Sequence, residues 1–142
     1  MDKELQLMEL YPVQFYNEAE DYKDIVKWTA SIDQIIPDPE MLPAVGVVAI
    51  KDGVKIGCGF LFLSTDCPVA VLEWVHFNPE SRASEKIIAL NSIIKSLEMC
   101  AKEENASIIF AGSPTNSITR LYVESGYTAM ARNMTHLVKV IN

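Results

Sequence analysis

Three places in this 142-residue sequence combine side chains that can do chemistry. The first is Glu73 in VAVLEWVHF. Strand alternation puts Val71, Glu73, Val75 and Phe77 on one side, and Leu72, Trp74 and His76 on the other. A carboxylate among three apolar neighbours loses hydration, which raises its pKa and suits it to accept a proton. The same residue also reads as a solvent-facing or salt-bridged strand carboxylate. His76 reads as a satisfied core or surface histidine. The second place is NPESRASEK, Asn78–Lys86, between a strand pattern and a helical pattern. A helix start offers free N–H groups and the positive end of the helix dipole, which suit a phosphate. The stretch has no glycine to bring its backbone close to an anion. Arg82 can clamp phosphate oxygens and Lys86 adds a second cation. Against that, Glu85 in the first turn can satisfy the N–H groups itself, and Ile87 is β-branched and tolerates no positive φ. Asn78 followed by Pro79 reads as a cap and first helical residue, and Ser81 or Ser84 as caps of a later start. The third place is TNSITRLYVESGY, where Tyr122 shares a helical face with Ile118, Leu121 and Ser125. A core tyrosine with a satisfied hydroxyl fits that position equally.

Metal chemistry finds no support. Cys58, Cys67 and Cys100 lack C-x-x-C spacing, and His76 and His136 lie far apart. The cysteines read as small buried thiols of a reducing compartment.

The elements that must position these residues follow from periodicity. Leu5–Leu10 is a weak strand pattern. NEAEDYKDIVKWTASI reads as a helix capped by Asn17, with Glu18, Glu20 and Asp21 in its first turn and a stripe of Tyr22, Ile25, Val26 and Thr29. IIPDPEMLP is a loop. AVGVVAIKDGVKIGCGFLFLS is a hairpin turning at Asp52-Gly53, and Gly57 and Gly59 suggest a bulge or close approach in its second strand. VAVLEWVHF is a third strand. EKIIALNSIIKSLEMCAKEENA is a long helix with Ile87, Leu90, Ile94, Leu97 and Ala101 inward. SIIFAG is a short buried strand, and Gly126 stops the next helix. YTAMARNMTHLVKVI reads as two strands turning near Asn133. The strand–long helix–strand unit predicts a parallel pair. Tyr11, Phe15, Tyr16 and Trp28 read either as the lining of an acceptor pocket or as core of the first helix.

Composition bounds the function. Apolar residues are 49% and charged residues 22%, ordinary for a soluble domain. No apolar run reaches membrane-span length and the first residues lack a signal-peptide pattern, so a cytoplasmic location is expected. The net charge of −7 argues against nucleic-acid or membrane-surface binding.

The element order, the strand–loop–long-helix unit and LYVESGY resemble the GNAT superfamily of acetyl-CoA-dependent N-acetyltransferases. The likeness in order covers nearly the whole chain, and the motifs lie within residues 71–127. Phe77, Asn78, Pro79 and Arg82 fit the family's x-Pro-x-x-Arg/Gln-x-x-Gly-x-Gly/Ala loop, whereas Glu85 and Ile87 stand at its glycine positions. The pyrophosphate-binding loop is therefore degenerate. Tyr122, Gly126 and Tyr127 match Tyr-x-x-x-Gly-Phe/Tyr, and Glu73 fits the strand's acidic position. Thr115 holds the place of a family Asn, with Asn116 one step off.

The resemblance implies a single domain over residues 1–142 of the α/β (α+β) class. Its sheet is mixed and mostly antiparallel, with six to seven strands, about four helices and a central parallel strand pair. It implies acetyl-CoA as cosubstrate and no metal, with acetyl transfer to a small-molecule amine, a protein N-terminus or a lysine. Glu73 is then the base and Tyr122 the acid. The cofactor contacts are Val75, Phe77, Arg82, Ala83, Ser84, Glu85, Lys86, Ile87 and Asn116. A backbone N–H near Val75 is the oxyanion donor, where the parallel strands splay. Two alternatives stand beside this: a GNAT fold kept for binding or structure without catalysis, and transfer of a longer acyl group. An exposed sheet edge near the last two strands can also pair with a second copy, giving a homodimer.

Overall fold

The computed structural model describes residues 9–31, 38–113, 115–135, 137, 139 and 141. They fall into two compact units, Met1–Gly112 and Ser113–Asn142. The first runs β1 (Val13–Phe15), α1 (Glu18–Ala30), a 3-10 turn at Pro39–Met41, β2 (Val45–Lys51), β3 (Val54–Leu63), β4 (Val69–Phe77), α2 (Ala83–Glu103) and β5 (Ile108–Ala111). The second contains α3 (Asn116–Glu124).

The sheet order is β1-β2-β3-β4-β5. All pairs are antiparallel except β4 and β5, which are parallel as the long-helix crossover predicts. The described sheet has five strands and three α-helices accompany the chain, fewer than expected. The difference lies at both ends. Residues 5–8 fall outside the described residues, Glu9 and Leu10 are not in a strand, and the first strand begins only after Pro12. Residues 127–135, read as the start of a terminal strand pair, form no strand, although Asn133 does have a turn-like φ of 56°. Residues 136, 138, 140 and 142 lie outside the described residues. Met130 and Met134 are 79% and 74% exposed. Apolar alternation makes a strand only when a neighbour buries it. The parallel pair is accordingly at the edge of the described sheet rather than its centre.

In the first unit, among the described residues, each face of the sheet carries one α-helix. Asn17 caps α1 by accepting the Ala19 N–H, and Asp21 accepts the Asn17 N–H. The buried stripe of α1 is Asp21, Ile25, Trp28 and Thr29. It packs against Val48, Cys58 and Phe60, with Tyr16, Tyr22, Ile50 and Trp74 at the margin. Tyr11 and Trp28 are core residues, Tyr16 meets Phe60 edge-on at 4.8 Å, and Phe15 is 72% exposed. Lys55 on β3 ties α1 down through Asp21 at 2.8 Å and Asp24 at 2.9 Å. Helix α2 covers the other face with Ala89, Leu90, Ile93, Ile94, Leu97 and Ala101. Ile87, expected in that stripe, is 45% exposed. It sits at the start of the second turn, ahead of the buried residues that begin at Ala89. Asp52 and Gly53 take φ of 50° and 78° in the β2–β3 turn, the geometry that Asp-Gly favours. Only Cys58 of the three cysteines is buried, since Cys67 is exposed and Cys100 half-buried.

Candidate functional site

Glu73 lies on β4, and the path of β4 decides where it points. Phe60 pairs with Glu73 and Cys58 with His76. Between those pairs β3 has only Gly59, whereas β4 has Trp74 and Val75. The extra residue is a β-bulge, and Trp74 takes the strain with a φ of 55°. Residues paired across antiparallel strands share a face. Glu73 and His76 therefore both lie on the α1 face, with Cys58 and Phe60. Leu72 pairs with Leu61 and Phe77 with Gly57, so they lie on the α2 face. A Cβ on Gly59 would meet Ile93 of α2 and lie 3.5 Å from Val75 Cγ2, which puts Val75 there too. The simple alternation is corrected on this point: Glu73 does not share a face with Val75 and Phe77, and His76 does not oppose it.

The bulge also uses its own polar groups. The Cys58 thiol donates to the Trp74 carbonyl at 3.7 Å. Burial pushes the Cys58 pKa up to about 12, which leaves it a neutral, inert thiol. His76 is 7% exposed and burial pulls its pKa down to about 4, so the ring is neutral near pH 7. Its Nε2 is buried with no hydrogen-bond partner among the described residues. Glu73 is half-buried. On the other edge, β4 pairs with β5 only from Val69 to Leu72, opposite Ile108–Ala111. From Glu73 to Phe77, β4 has no described strand on that side. The described pairing stops where β5 itself ends, at Ala111.

The loop after β4 is a turn and then a helix start. Asn78 is neither helix cap nor first residue. Its N–H donates to the Ile56 carbonyl, its side-chain amide to the Lys55 carbonyl, and its Oδ1 accepts the Glu80 N–H. The Ser81 N–H closes the turn on the Asn78 carbonyl at 3.0 Å. Helix α2 then begins at Ala83, with Arg82 in the cap position. Neither Ser81 nor Ser84 caps it. Arginine offers no acceptor, so the cap comes from within: Glu85 Oε1 accepts the Arg82 N–H at 2.8 Å. Its Oε2 meets Lys51 Nζ at 3.2 Å and the Arg82 guanidinium at 3.6 Å. The Arg82 N–H first, then Lys51, hold the Glu85 carboxyl below its usual pKa. Nothing in the sequence around Lys51 announces this role, because its partner lies 34 residues away.

Beside this helix start lies a cavity of about 280 Å³ whose charged lining is Lys51, Asp52, Glu80 and Glu85. A diphosphate fits poorly here. One first-turn N–H is taken by a carboxylate, and the two nearest cations already share that carboxylate. Ala83 and Ser84 are exposed in the first turn, Lys86 is half-buried, and Arg82 is 76% exposed.

In the second unit, Thr115 caps α3 by accepting the Ile118 N–H at 3.3 Å, and Asn116 is its exposed first residue. Tyr122 is 5% exposed and meets the Tyr127 ring edge-on at 5.0 Å. Gly126, with φ of 100°, ends the helix, and the Tyr127 N–H returns to the Tyr122 carbonyl at 3.0 Å. The Tyr122–Gly126–Tyr127 spacing is thus first a helix-stop motif. Glu73, Val75, Phe77 and Arg82–Ile87 are gathered in the first unit, and Asn116 and Tyr122 in the second. Among the described residues no group of three His, Cys, Asp or Glu could hold a metal, and no helix is long and apolar enough to cross a membrane.

No family model matches the sequence, and no curated protein does. Solved structures do. The aminoglycoside N-acetyltransferase AAC(6')-Iy, in complex with a bisubstrate analogue of CoA and acetylneamine, is 16% identical with a TM-score of 0.64, covering 93% of this chain and 100% of that one. An acetyltransferase from Trypanosoma brucei is 14% identical with a TM-score of 0.62, covering 90% and 99%. A ribosomal-protein-alanine N-acetyltransferase from Brucella melitensis biovar Abortus 2308 is 15% identical with a TM-score of 0.60, covering 93% and 100%. At these identities the likeness is one of fold alone: the chain has the fold of these acetyltransferases.

Proposed function

We propose that the chain moves an acetyl group from acetyl-CoA, or a related pantetheine thioester, to a primary amine. The reading rests on β4. It runs past the end of β5 to the turn that precedes α2, and its bulge turns Glu73 and His76 to one face. Along Trp74–Phe77 no described strand pairs with this edge, and an amide-rich pantetheine arm is proposed to lie there. In the transfer, the neutral amine attacks the thioester carbonyl carbon, the C–N bond forms and the C–S bond breaks. The amine proton passes to the Glu73 carboxylate, and the departing thiolate takes a proton from Tyr122. The Val75 N–H is proposed as the donor to the carbonyl oxygen as charge builds there. The Tyr122 assignment rests on the family-like spacing alone. The three neighbours are named for an aminoglycoside, a ribosomal-protein alanine or acetyl transfer in general, and a small-molecule or protein amine is the acceptor proposed for this chain.

Thiol release from millimolar acetyl-CoA, measured with polyamines, lysine esters and peptides free at the N-terminus, tests the reading. Amine-dependent release is expected, and Tyr122→Phe should lower kcat more than it changes KM. No amine-dependent release with any acceptor would refute it. A second reading is a GNAT fold kept for binding or structure without catalysis. Its support is Glu85, which fills the helix start from within. That reading predicts neither turnover nor a rise in Tm with any pantetheine thioester.

A further inference from the structure

Resting on the acyl-transfer reading, we infer that the donor is a thioester of the pantetheine arm recognised without the nucleotide diphosphate of CoA. The first turn of α2 is where an anion would be drawn by free N–H groups and the helix dipole. In this chain an anion is already there. The Glu85 carboxylate accepts the Arg82 N–H and is gripped by Lys51 from the end of β2 and by the Arg82 guanidinium. Lys51 is therefore a counter-ion of Glu85 rather than a spare cation.

Charge beside the helix start reinforces this. The adjoining cavity sets Asp52, Glu80 and Glu85 against Lys51. With Arg82, which also meets Glu85, the site has two cations against three carboxylates, which leaves nothing over for the several negative charges of CoA. The open edge of β4 is independent of all of this. Among the described residues no strand pairs with that side of β4 from Trp74 to Phe77, before the turn at Asn78–Ser81. A pantetheine arm can therefore be held by backbone hydrogen bonds while the nucleotide is left in solvent.

Three donors that differ only in phosphate test this: acetyl-pantetheine, acetyl-phosphopantetheine and acetyl-CoA. Their kcat/KM values are measured with one acceptor at fixed ionic strength. The expected result is that acetyl-CoA is favoured over acetyl-pantetheine by no more than about tenfold, the equivalent of one small interaction. Glu85→Ala should raise the acetyl-CoA to acetyl-pantetheine ratio by about tenfold or more. Glu85→Gln keeps an oxygen acceptor for the Arg82 N–H, and should move the ratio the same way if Glu85→Ala does not fold. A larger preference for acetyl-CoA in the wild type overturns the inference while leaving acyl transfer intact. An unchanged ratio in the folded variants overturns it as well, because Glu85 would not be what excludes the diphosphate. No turnover with any donor overturns the acyl-transfer reading, and this inference falls with it.

Discussion

His76 is the residue whose environment departs furthest from what its neighbours in sequence suggest. Its ring is buried on the α1 face, Nε2 has no partner among the described residues, and burial lowers its pKa from 6.5 to about 4. In the unfolded chain the ring protonates near 6.5, but in the fold it resists until about 4. Between those values the unfolded state holds more protons, so stability falls as pH falls through that window. The full effect near pH 4 is on the order of 3 kcal/mol, because each tenfold loss of proton affinity on folding is worth about 1.4 kcal/mol. Urea unfolding of the wild type and His76→Leu from pH 7 to pH 4 measures it. The wild type should lose more stability on acidification than the variant, and parallel curves would contradict the buried neutral ring. Glu73 was legible as a β4 carboxylate with an apolar surround, but its company was not. One inserted residue at Trp74–Val75 reassigned it from Val75 and Phe77 to His76.

Among the elements, the β3–β4 bulge and the α2 packing depend on each other. Gly59 is the single β3 residue facing the two-residue bulge, and a Cβ there would lie 2.6 Å from Ile93 Cγ2. Ile93 is fully buried and β-branched in a helix, so that methyl has nowhere to turn. Gly59→Ala should therefore cost about 1–3 kcal/mol by overpacking, read as a lower urea midpoint. A neutral substitution would mean that α2 can lift from the sheet at this point. The tie between α1 and β3 is electrostatic. Burial lowers the Lys55 pKa, but the hydrogen-bonded carboxylates of Asp21 and Asp24 outweigh this and leave it raised. Asp21 is 2% exposed and also accepts the Asn17 N–H. Asp21→Ala leaves that N–H and part of the Lys55 charge without a partner, and should cost about 2 kcal/mol. Asp24 keeps Lys55 partly satisfied, which is why a larger loss is not expected. An unfolding midpoint equal to the wild type's would show that Asp24 alone carries the tie. The hairpin, β4 and both long helices were legible in the sequence because turn chemistry and periodicity are local. Of the expected terminal strand pair, residues 127–135 form no strand, and much of the rest lies outside the described residues.

For the whole molecule the governing quantity is the net charge of −7. Under the proposed function, a cationic acceptor such as a polyamine is drawn by this field and a neutral amine is not. Raising ionic strength from about 50 to 500 mM shortens the screening length from roughly 14 to 4 Å. KM for a polyamine should then rise several-fold while KM for an uncharged acceptor analogue stays within about twofold. Equal responses would remove charge steering from the account. The same balance of charge is what separates acceptor from donor: an acidic chain welcomes amines and gives little help to a polyphosphate.

Sequence alone determined the class of fold and the order of its parts. Caps, turn residues and hydrophobic period act over a few residues, and Asn17, Asp52-Gly53, Gly126 and the stripe of α2 each declare themselves locally. Tertiary structure alone decided which side chains meet. The face of Glu73 depends on a bulge forced against Gly59, and the fate of the α2 helix start depends on a lysine 34 residues away that Glu85 reaches only once β2 and α2 are packed. Both are settled by contacts between distant segments, and no local period carries them.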